Sequence, residues 1–533
     1  MMVFNYEITV EEFDGPSVLK GSFDFHTGEK RVVCNLPSGH LQSVTATTPL
    51  KVAEGEKIFM NGYQTWTYCP EFSAKDVQRD HMPLPKAAVE KFKLDCYGDY
   101  HFVDYPNRPG LFHGFSYCYF RYHGTYRLIA SLDEKPGYTI FRYDANKGEL
   151  TIERDCAGVR CKGDFHAFDL FYAVGEEEEV FNAWFDALNV HPRTLEKLAG
   201  YSSWYNRYQN ISEQTILDDL NGCAELLEQD DLFQVDDGWE PFVGDWLEPD
   251  EKKFPNGMAA VADAIHAKGF QAGLWLAPFV AQEGSRILKE HPEWFLRDKA
   301  GKKWCNGSNW GGFYSLDIDN PEVEMYLTQV FRRIFEEWNF DLVKLDFLYG
   351  AAPFGTESES RAARMMRAMD MLRDWCGYRK ILGCGVPVMP AFGVVDYCRV
   401  SCDVTLDWDD KLYMRLIHRE RPSTRQAIGN SVFRRQLNGR AYLSDPDVFF
   451  LRDDNVKLSR KQKNQLAVLD AVIGGVFLHS DDMSKYSDAA KEQYKALRHL
   501  REAKDVQIRT DGKWMLRCTL DDMPYELALD DLP

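Results

Sequence analysis

The sequence predicts a multidomain α/β protein: a (β/α)8 TIM barrel with an N-terminal β-sandwich domain and a short C-terminal β-containing segment. Three observations support this fold class. The chain has 533 residues, which is too long for a single small domain. Its first third alternates apolar and polar residues, as half-buried strands do. After that, apolar strand-like runs alternate with amphipathic helical segments eight times.

The N-terminal β-sandwich is expected over residues 1–190. This part contains short runs rich in β-branched and aromatic residues, with Gly, Asp and Asn turn formers about every 8–12 residues. Such spacing is typical of an antiparallel sandwich. The only convincing helix there is the segment EEEVFNAWFDALN near the end, so we expect strands and turns before it.

The barrel is expected over residues 198–484, which is a usual length for eight β-then-α units. Each unit begins with an apolar run short enough to be a buried parallel strand. The eight strand candidates are YSSWYN, LFQVDDGW, FQAGLWLAP, FDLVKLDF, KILGCGVP, DYCRVSCDV, RAYLSDPDV and IGGVFLHSDD.

Two segments between these runs carry clear helix signals. In NPEVEMYLTQVFRRIFEEW, Asn320 is a good N-cap and Pro321 fits the first turn. The apolar residues of this segment fall on one face: Val323, Leu327, Val330, Phe331 and Ile334. In MAAVADAIHAKG, Gly269 is placed to end the helix.

The remaining residues, 485–533, are expected to form one helix followed by a small β-hairpin. The hairpin prediction rests on VQIRTDGKWMLRCTLDD, in which two strand-like runs flank a turn that contains Asp-Gly.

Composition and charge limit which binding partners and which cellular compartment are expected for the protein. With 63 basic and 83 acidic residues the net charge is −20, which disfavours binding to nucleic acids and anionic membranes. No apolar run approaches the ~20 residues of a membrane span, and the first residues do not resemble a secretory signal. The thirteen cysteines lack CxxC spacing and are expected to be reduced. We therefore predict a cytoplasmic protein, and its oligomeric state stays open.

Polar and aromatic residues lie at the end of each predicted strand, where a barrel builds its active site. Any one of them has about even odds of being only a cap or a turn residue. Together they favour a neutral, hydroxyl-rich ligand, because carboxylates accept hydrogen bonds from hydroxyls and indole faces cover C–H surfaces. The set comprises Trp204, Tyr205, Asp236, Asp237, Trp239, Trp275, Lys344, Asp346, Cys384, Arg399, Asp403, Asp445, Asp447, Asp481 and Asp482.

The strand FDLVKLDF is the most informative, because alternation puts Lys344 and Asp346 on the same side. A lysine beside a buried carboxylate favours the ionised form, which can act as a nucleophile. The alternative is a purely structural ion pair. A nucleophile of this kind needs a protonated partner that donates to the leaving group, and Asp403 is the candidate. Arg399 either binds a hydroxyl nearby or pairs with Asp403, and such a pair would argue against the acid role.

Other chemistries have weaker support. The motifs HEXXH, GxSxG, GxxxxGK and GxGxxG are absent. The pairs Asp236–Asp237 and Asp481–Asp482 could bind a divalent cation, but adjacent carboxylates are more often hydroxyl acceptors or solvated loop residues. Cys384 has no histidine partner and is interpreted as a lining residue. We therefore expect neither a metal nor a cofactor.

The motifs resemble those of the retaining α-galactosidases of glycoside hydrolase family 36, over nearly the whole chain. Seven short strings occur in the family's order, six of them at predicted strand ends: NGYQTW, WYNRY, DDGW, GLWLAP, KLDF, LGCGVP and RVSCD. Each string alone is weak evidence of this resemblance, but the ordered set is strong evidence of it. Tyr63 replaces the family's usual tryptophan, and CRVSCD departs from the usual glycine or proline near the acid/base.

The resemblance implies a role for each matching residue. The N-terminal third would be the family's β-supersandwich, whose loop carries Trp66 as a lid over the sugar. Asp346 would be the nucleophile and Asp403 the acid/base. The implied substrate-binding residues are Trp66, Trp204, Tyr205, Asp236, Asp237, Trp275, Lys344, Cys384, Gly385 and Arg399. Within that set, Asp236 and Asp237 would accept from O4 and O6, and Cys384 and Gly385 would lie near O2.

The expected activity is hydrolysis of terminal non-reducing α-D-galactosyl residues from oligosaccharides or glycoconjugates, by double displacement with two aspartates. Retention requires the two carboxyl groups ~5–5.5 Å apart. An α-N-acetylgalactosaminidase or a galactosyl transferase on the same scaffold is the nearer alternative. A non-catalytic sugar-binding protein is the distant one, because both carboxylates are present.

Overall fold

The computed structural model describes residues 1–80, 84–409, 419–530 and 532. The N-terminal part is one antiparallel sheet of eleven strands, and its longest strand, β3, pairs with β1, β10 and β11. Strands β1–β11 are Met2–Glu12, Gly15–Phe25, Gly28–Pro49, Lys57–Met60, Glu71–Phe72, Leu111–Phe115, Tyr117–Tyr122, Thr125–Ser131, Tyr138–Asp144, Glu149–Asp155 and Arg160–Gly175.

Alternation along these strands divides their side chains between two cores. In β7, Tyr117 and Tyr119 belong to the large core that the N-terminal sheet shares with the rest of the protein. Cys118 lies between these two tyrosines and Phe120 follows them. Both belong to a separate core within the N-terminal part. Because successive side chains point to opposite faces of a strand, both faces of this strand are buried. The N-terminal sheet is thus packed directly against the structure that follows it.

Two helices lie in the N-terminal third. Helix α1 (Lys86–Phe92) was not expected from the sequence, and α2 (Glu177–Leu188) is the helix that EEEVFNAWFDALN predicts. Helix α1 is short and buries only Val89, so it carries little amphipathic signal. The all-β expectation before α2 is therefore wrong at α1.

The middle of the chain forms a curled parallel sheet of nine strands, in the order β21-β20-β19-β18-β14-β13-β12-β23-β22. Its strands in chain order are β12 to β14 (Leu198–Ser202, Leu232–Val235 and Gln271–Leu276) and β18 to β23 (Leu342–Leu345, Lys380–Gly383, Tyr397–Arg399, Leu443–Asp445, Val448–Phe449 and Val476–His479). All eight predicted runs supply or adjoin a strand, and RAYLSDPDV contributes to both β21 and β22. The Gly475 amide donates to the Ser444 carbonyl at 2.9 Å, which brings the two ends of the sheet together.

A small antiparallel sheet is inserted after β14. It contains β15 (Val280–Gln282), β16 (Cys305–Gly307) and β17 (Phe313–Ser315). The sequence analysis did not anticipate it, because strands of three residues carry no measurable periodicity.

The helices between the parallel strands include both of those that the sequence analysis named. They are α3 to α10, at Trp204–Arg207, Glu213–Cys223, Gly257–Ala267, Arg286–Glu290, Pro321–Arg332, Arg361–Cys376, Thr424–Phe433 and Arg460–Ile473. The Asn320 side chain accepts from the Glu322 amide and caps α7, and the predicted apolar face of α7 is buried. Gly269 lies just beyond α5 with φ of +86°, as its predicted role in ending that helix requires.

The C-terminal part contains α11 (Asp488–Leu500) and an antiparallel sheet of β24 (Lys504–Arg509), β25 (Trp514–Leu520) and β26 (Met523–Leu529). The predicted hairpin therefore has a third strand. Asp521 and Asp522 both adopt positive φ and make the tight turn between β25 and β26. All thirteen cysteines are unpaired. Within the described residues, no helix has the length and apolarity needed to cross a bilayer.

Candidate active site

A cavity of about 700 Å³ lies at the carboxyl ends of the parallel strands. Eight of the twelve predicted site residues line it: Trp66, Trp204, Asp236, Asp237, Trp275, Lys344, Asp346 and Asp403. They come from a loop between strands β4 and β5 and from five different ends of parallel strands, so only the folded chain brings them together. The other four, Tyr205, Cys384, Gly385 and Arg399, lie directly behind the lining residues.

Asp346 follows β18 and is buried at the floor of the cavity. The Trp275 indole Nε1 donates to its Oδ2 at 3.1 Å, and the Phe347 amide donates to its Oδ1 at 2.9 Å. Burial raises the pKa of Asp346, against the lowering effect of Lys344. The sequence analysis expected Lys344 to dominate. Burial is the larger effect, so a higher pH is needed to ionise Asp346 than an ordinary aspartate.

Lys344 is directed mainly at a different carboxylate. Its Nζ donates to Asp236 Oδ2 at 2.8 Å, and both side chains are buried. Burial disfavours the charged lysine, but the Asp236 charge raises the pKa of Lys344 above its usual value. The ion pair that was the structural alternative thus exists, with Asp236 instead of Asp346 as the partner.

Asp237 accepts two hydrogen bonds from neighbours of the cavity. Gln209 Nε2 and Trp310 Nε1 donate to its Oδ2 at 2.9 and 3.1 Å. Burial raises the pKa of Asp237, and the charge of Asp236 adds to this effect. Beside it, burial and the Asp237 charge raise the pKa of Glu240 well above its usual range. Asp237 therefore lines the cavity, with a second buried carboxyl group, Glu240, beside it.

Arg399 binds three carboxylates at once. Its Nη1 contacts Asp403 at 2.9 Å, its Nε contacts Asp445 at 3.1 Å and its Nη2 contacts Asp447 at 2.8 Å. The Asp403 side chain is 38% exposed, whereas those of Asp445 and Asp447 are buried. The sequence left two roles open for Arg399, and the structure shows the ion pair with Asp403. That contact counts against the acid role, but Asp403 shares the cation with two other anions.

Asp447 connects this network to Tyr205. The Tyr205 hydroxyl donates to Asp447 Oδ2 at 2.5 Å, and the Val404 amide donates to the same atom at 2.8 Å. Asp447 has φ of +90°, and burial raises its pKa to about 7. Tyr205 thus orients the chain beside Asp403 and is turned away from the cavity lining, although the sequence analysis expected a sugar contact.

Trp66 closes the cavity from the side of the N-terminal sheet. Its Nε1 donates to the Cys384 sulfur at 3.2 Å. A Cβ atom at Gly385 would lie 2.7 Å from the indole, and Gly385 has φ of +55°, so a glycine is required there. Cys384 and Gly385 therefore support the indole, and Tyr63 is buried away from the cavity against Phe115 and Tyr138.

Several lining residues were not predicted. Gln209, Trp310 and Phe347 complete the wall near the carboxylates, and Leu84, Phe92, Leu94 and Tyr97 form part of a cover from the segment around α1. We call residues 84–97 the roof segment. Its amphipathic signal is weak, and only three-dimensional contact shows that it covers the cavity.

The remaining carboxylates have structural partners. Asp481 accepts from the Leu451 amide at 2.6 Å and the Tyr486 hydroxyl at 2.7 Å, and Asp482 accepts from the Ser484 amide. Among the described residues, one group could hold a cation, at the surface away from the cavity: His291, Glu293 and Glu322. The sequence analysis considered a divalent-cation site at the pair Asp481–Asp482, and these contacts do not support one.

Comparison with known proteins gives a consistent result. Residues 200–372 match the family model described as melibiase. A curated relative, α-galactosidase Mel36A of Lactobacillus acidophilus, is 32% identical over 153 residues, which are 27% of this chain and 20% of that protein. The matched segment thus spans about a fifth of that relative's length.

Solved structures extend the similarity beyond residues 200–372. TtGalA, an α-galactosidase from Thermus thermophilus in complex with p-nitrophenyl α-D-galactopyranoside, has a TM-score of 0.74 and 27% identity, and the match covers 93% of this chain and 98% of that one. AgaA, a family 36 α-galactosidase from Geobacillus stearothermophilus, shares the fold with a TM-score of 0.59 and 14% identity over 99% of this chain and 76% of its own. The resemblance to family 36 is confirmed.

Proposed function

We propose that the protein is a retaining exo-α-galactosidase, which removes terminal α-linked galactose by double displacement. In this proposal, residues 198–484 form a (β/α)8 catalytic barrel, residues 1–190 form a β-supersandwich, and residues 485–533 form a small C-terminal segment that contains a helix and β-strands. The single observation that carries the proposal is the meeting of Asp346 and Asp403 in one cavity. The two residues lie on separate strand ends, so their convergence depends on the fold.

The proposed reaction begins with attack by Asp346 on C1 of the sugar. Trp275 and the Phe347 amide hold this carboxylate in place. Asp403 gives a proton to the leaving oxygen as the glycosidic bond breaks. Asp403, now a base, then takes a proton from water, and that water releases the galactose with retained configuration.

The acid role requires that Asp403 carry a proton despite Arg399. Asp445 and Asp447 place two further carboxyl groups on the same guanidinium, and both are buried. Arg399 is therefore shared among three carboxyl groups and does not bind Asp403 alone. The partial exposure of Asp403 also gives it access to water.

Sugar recognition in the proposal uses the remaining lining residues. Asp236, Asp237 and Lys344 offer charged hydrogen-bonding groups on one side of the cavity, where hydroxyls of a bound sugar would lie. The indoles of Trp66, Trp204 and Trp275 cover its apolar face. The roof segment closes the far side, which suits a terminal residue better than the middle of a chain.

The N-acetylgalactosaminidase alternative depends on room near C2. In the proposal, that position lies beside Cys384 and Gly385, which are packed against Trp66. This packing favours the small hydroxyl of galactose over an acetamido group.

Hydrolysis of three p-nitrophenyl substrates tests the proposed specificity: α-galactoside, α-N-acetylgalactosaminide and α-glucoside. We expect kcat/KM for the galactoside to exceed each of the others by at least about 100-fold, because an unmatched buried hydrogen-bonding group is costly. Free galactose should be the product with raffinose as substrate. Equal or faster cleavage of either competitor would contradict the assignment, and transfer of galactose to a second sugar without release would favour the transferase alternative.

A further inference from the structure

Two cysteines connect the roof segment to the wall of the cavity. Cys96 ends the turn Leu94–Cys96, and Cys305 begins strand β16. The Cys96 thiol hydrogen-bonds the Cys305 sulfur, although the two residues are far apart in the chain. The turn and strand β16 are in contact, so the fold brings these two cysteines together.

Exposure singles out the same pair. All thirteen cysteines of the chain lie within the described residues, and eleven of them are buried. Only Cys96 and Cys305 are partly exposed. Because a small reagent reaches accessible thiols first, these two are the sites where oxidants should act.

The environment assigns different roles to the two sulfurs. The hydrogen bond from Cys96 and the nearby Lys93 ammonium lower the pKa of the Cys305 thiol to about 6, against the opposing effect of burial. The same hydrogen bond and burial raise the pKa of Cys96. At neutral pH, Cys305 is thus the thiolate nucleophile and Cys96 the thiol that can resolve a mixed disulfide.

The pair adjoins groups that shape the cavity. Tyr97, next to Cys96, donates to Asn309 Oδ1 at 2.7 Å and accepts from the Ser308 amide at 2.9 Å. The following residue, Trp310, donates to Asp237. A bond between Cys96 and Cys305 would therefore fix the roof segment to the loop that holds Asp237.

We propose that Cys96 and Cys305 form a redox modification site that reacts with small-molecule disulfides such as oxidised glutathione. The Cys305 thiolate attacks one sulfur of the reagent and releases one thiolate, leaving a mixed disulfide on Cys305. The Cys96 thiol loses its proton to water and attacks the Cys305 sulfur, which releases the second reagent thiolate. Two protein thiols and one disulfide thus yield one protein disulfide and two reagent thiols.

Peptide mapping of the full-length protein without reductant tests this site independently of any enzymatic activity. After incubation with oxidised glutathione, we expect a peptide pair joined through Cys96 and Cys305, reversed by dithiothreitol. The melting temperature should rise by about 5 °C, because the bond closes a long loop in the unfolded chain. A protein that forms no such pair, or that forms other pairs in equal yield, would overturn the proposal.

Single substitutions separate the two roles. In Cys96→Ser, Cys305 should keep a stable mixed disulfide with glutathione. In Cys305→Ser, Cys96 should stay unmodified under the same conditions. The control Cys518→Ser changes a buried cysteine of the C-terminal sheet and should leave the pair unaffected. Rapid modification of Cys96 in Cys305→Ser would show that the nucleophile is assigned to the wrong sulfur.

Discussion

Replacement of Asp346 by asparagine should lower kcat for p-nitrophenyl α-galactoside by about 10⁴-fold or more, because the amide cannot form the covalent intermediate. The fold should persist. An asparagine Oδ1 can still accept from Trp275 or from the Phe347 amide, and it avoids burying a charge. We therefore expect an unchanged or higher melting temperature, alongside near-complete loss of turnover.

The matched control for this variant is Asp374→Asn, on the exposed face of α8 (Arg361–Cys376), the helix that follows the Asp346 strand. It makes the same chemical change outside the cavity and should keep full activity. Steady-state kinetics and thermal melting of both variants provide the comparison. Substantial turnover by Asp346→Asn would remove Asp346 from the role of nucleophile.

Replacement of Asp403 by alanine should cost about 10²–10⁴-fold in kcat/KM for raffinose, whose leaving sugar needs a proton. The loss should be much smaller for p-nitrophenyl α-galactoside, because nitrophenolate leaves without protonation. In this variant, azide should accelerate the second step, in which the galactosyl-enzyme intermediate is attacked, because the azide anion needs no base to deprotonate it. The product of that step should be α-galactosyl azide. This pattern distinguishes an acid/base from a residue that only binds substrate.

The control is Asp407→Ala, which removes a carboxylate four positions along that pairs with Lys457 at 3.2 Å. It should change neither substrate preference nor the response to azide. An equal loss on both substrates by Asp403→Ala, without azide rescue, would indicate that Arg399 holds Asp403 only as a structural partner.

Much of the parallel sheet could be predicted because its signals are local. A buried strand needs only a short apolar run, and helix α7 combines a capping asparagine, a first-turn proline and an apolar face. Asp346 follows such a run directly. Since parallel strands end at one edge of a sheet, strand-end residues could be grouped before the structure was known.

The missed features depend on contacts between distant segments. The roof segment meets the wall through Cys96 and Tyr97, and no periodicity in residues 84–97 reveals that contact. The partner of Lys344 is another example. Alternation places Lys344 beside Asp346, but the end of β13, two strands away in the sheet, brings Asp236 to hydrogen-bonding distance. The sequence cannot show which of two carboxylates a lysine reaches.

The C-terminal sheet shows how a turn can go unrecognised. The pair Asp521–Asp522 lacks the glycine that marks most two-residue turns, although both residues adopt positive φ. Pro524 lies in β26, whose other edge has no partner among the described strands. An edge strand tolerates proline, so Pro524 is compatible with this third strand.

The central claim is that Asp346 and Asp403 act across one anomeric carbon in two successive displacements. Proton NMR of the first-formed sugar, recorded faster than galactose mutarotates, tests it most directly. The account predicts that p-nitrophenyl α-galactoside releases α-galactose first, with the β-anomer appearing only later. If β-galactose forms first, the reaction is a single inverting displacement, and the roles of both aspartates are wrong.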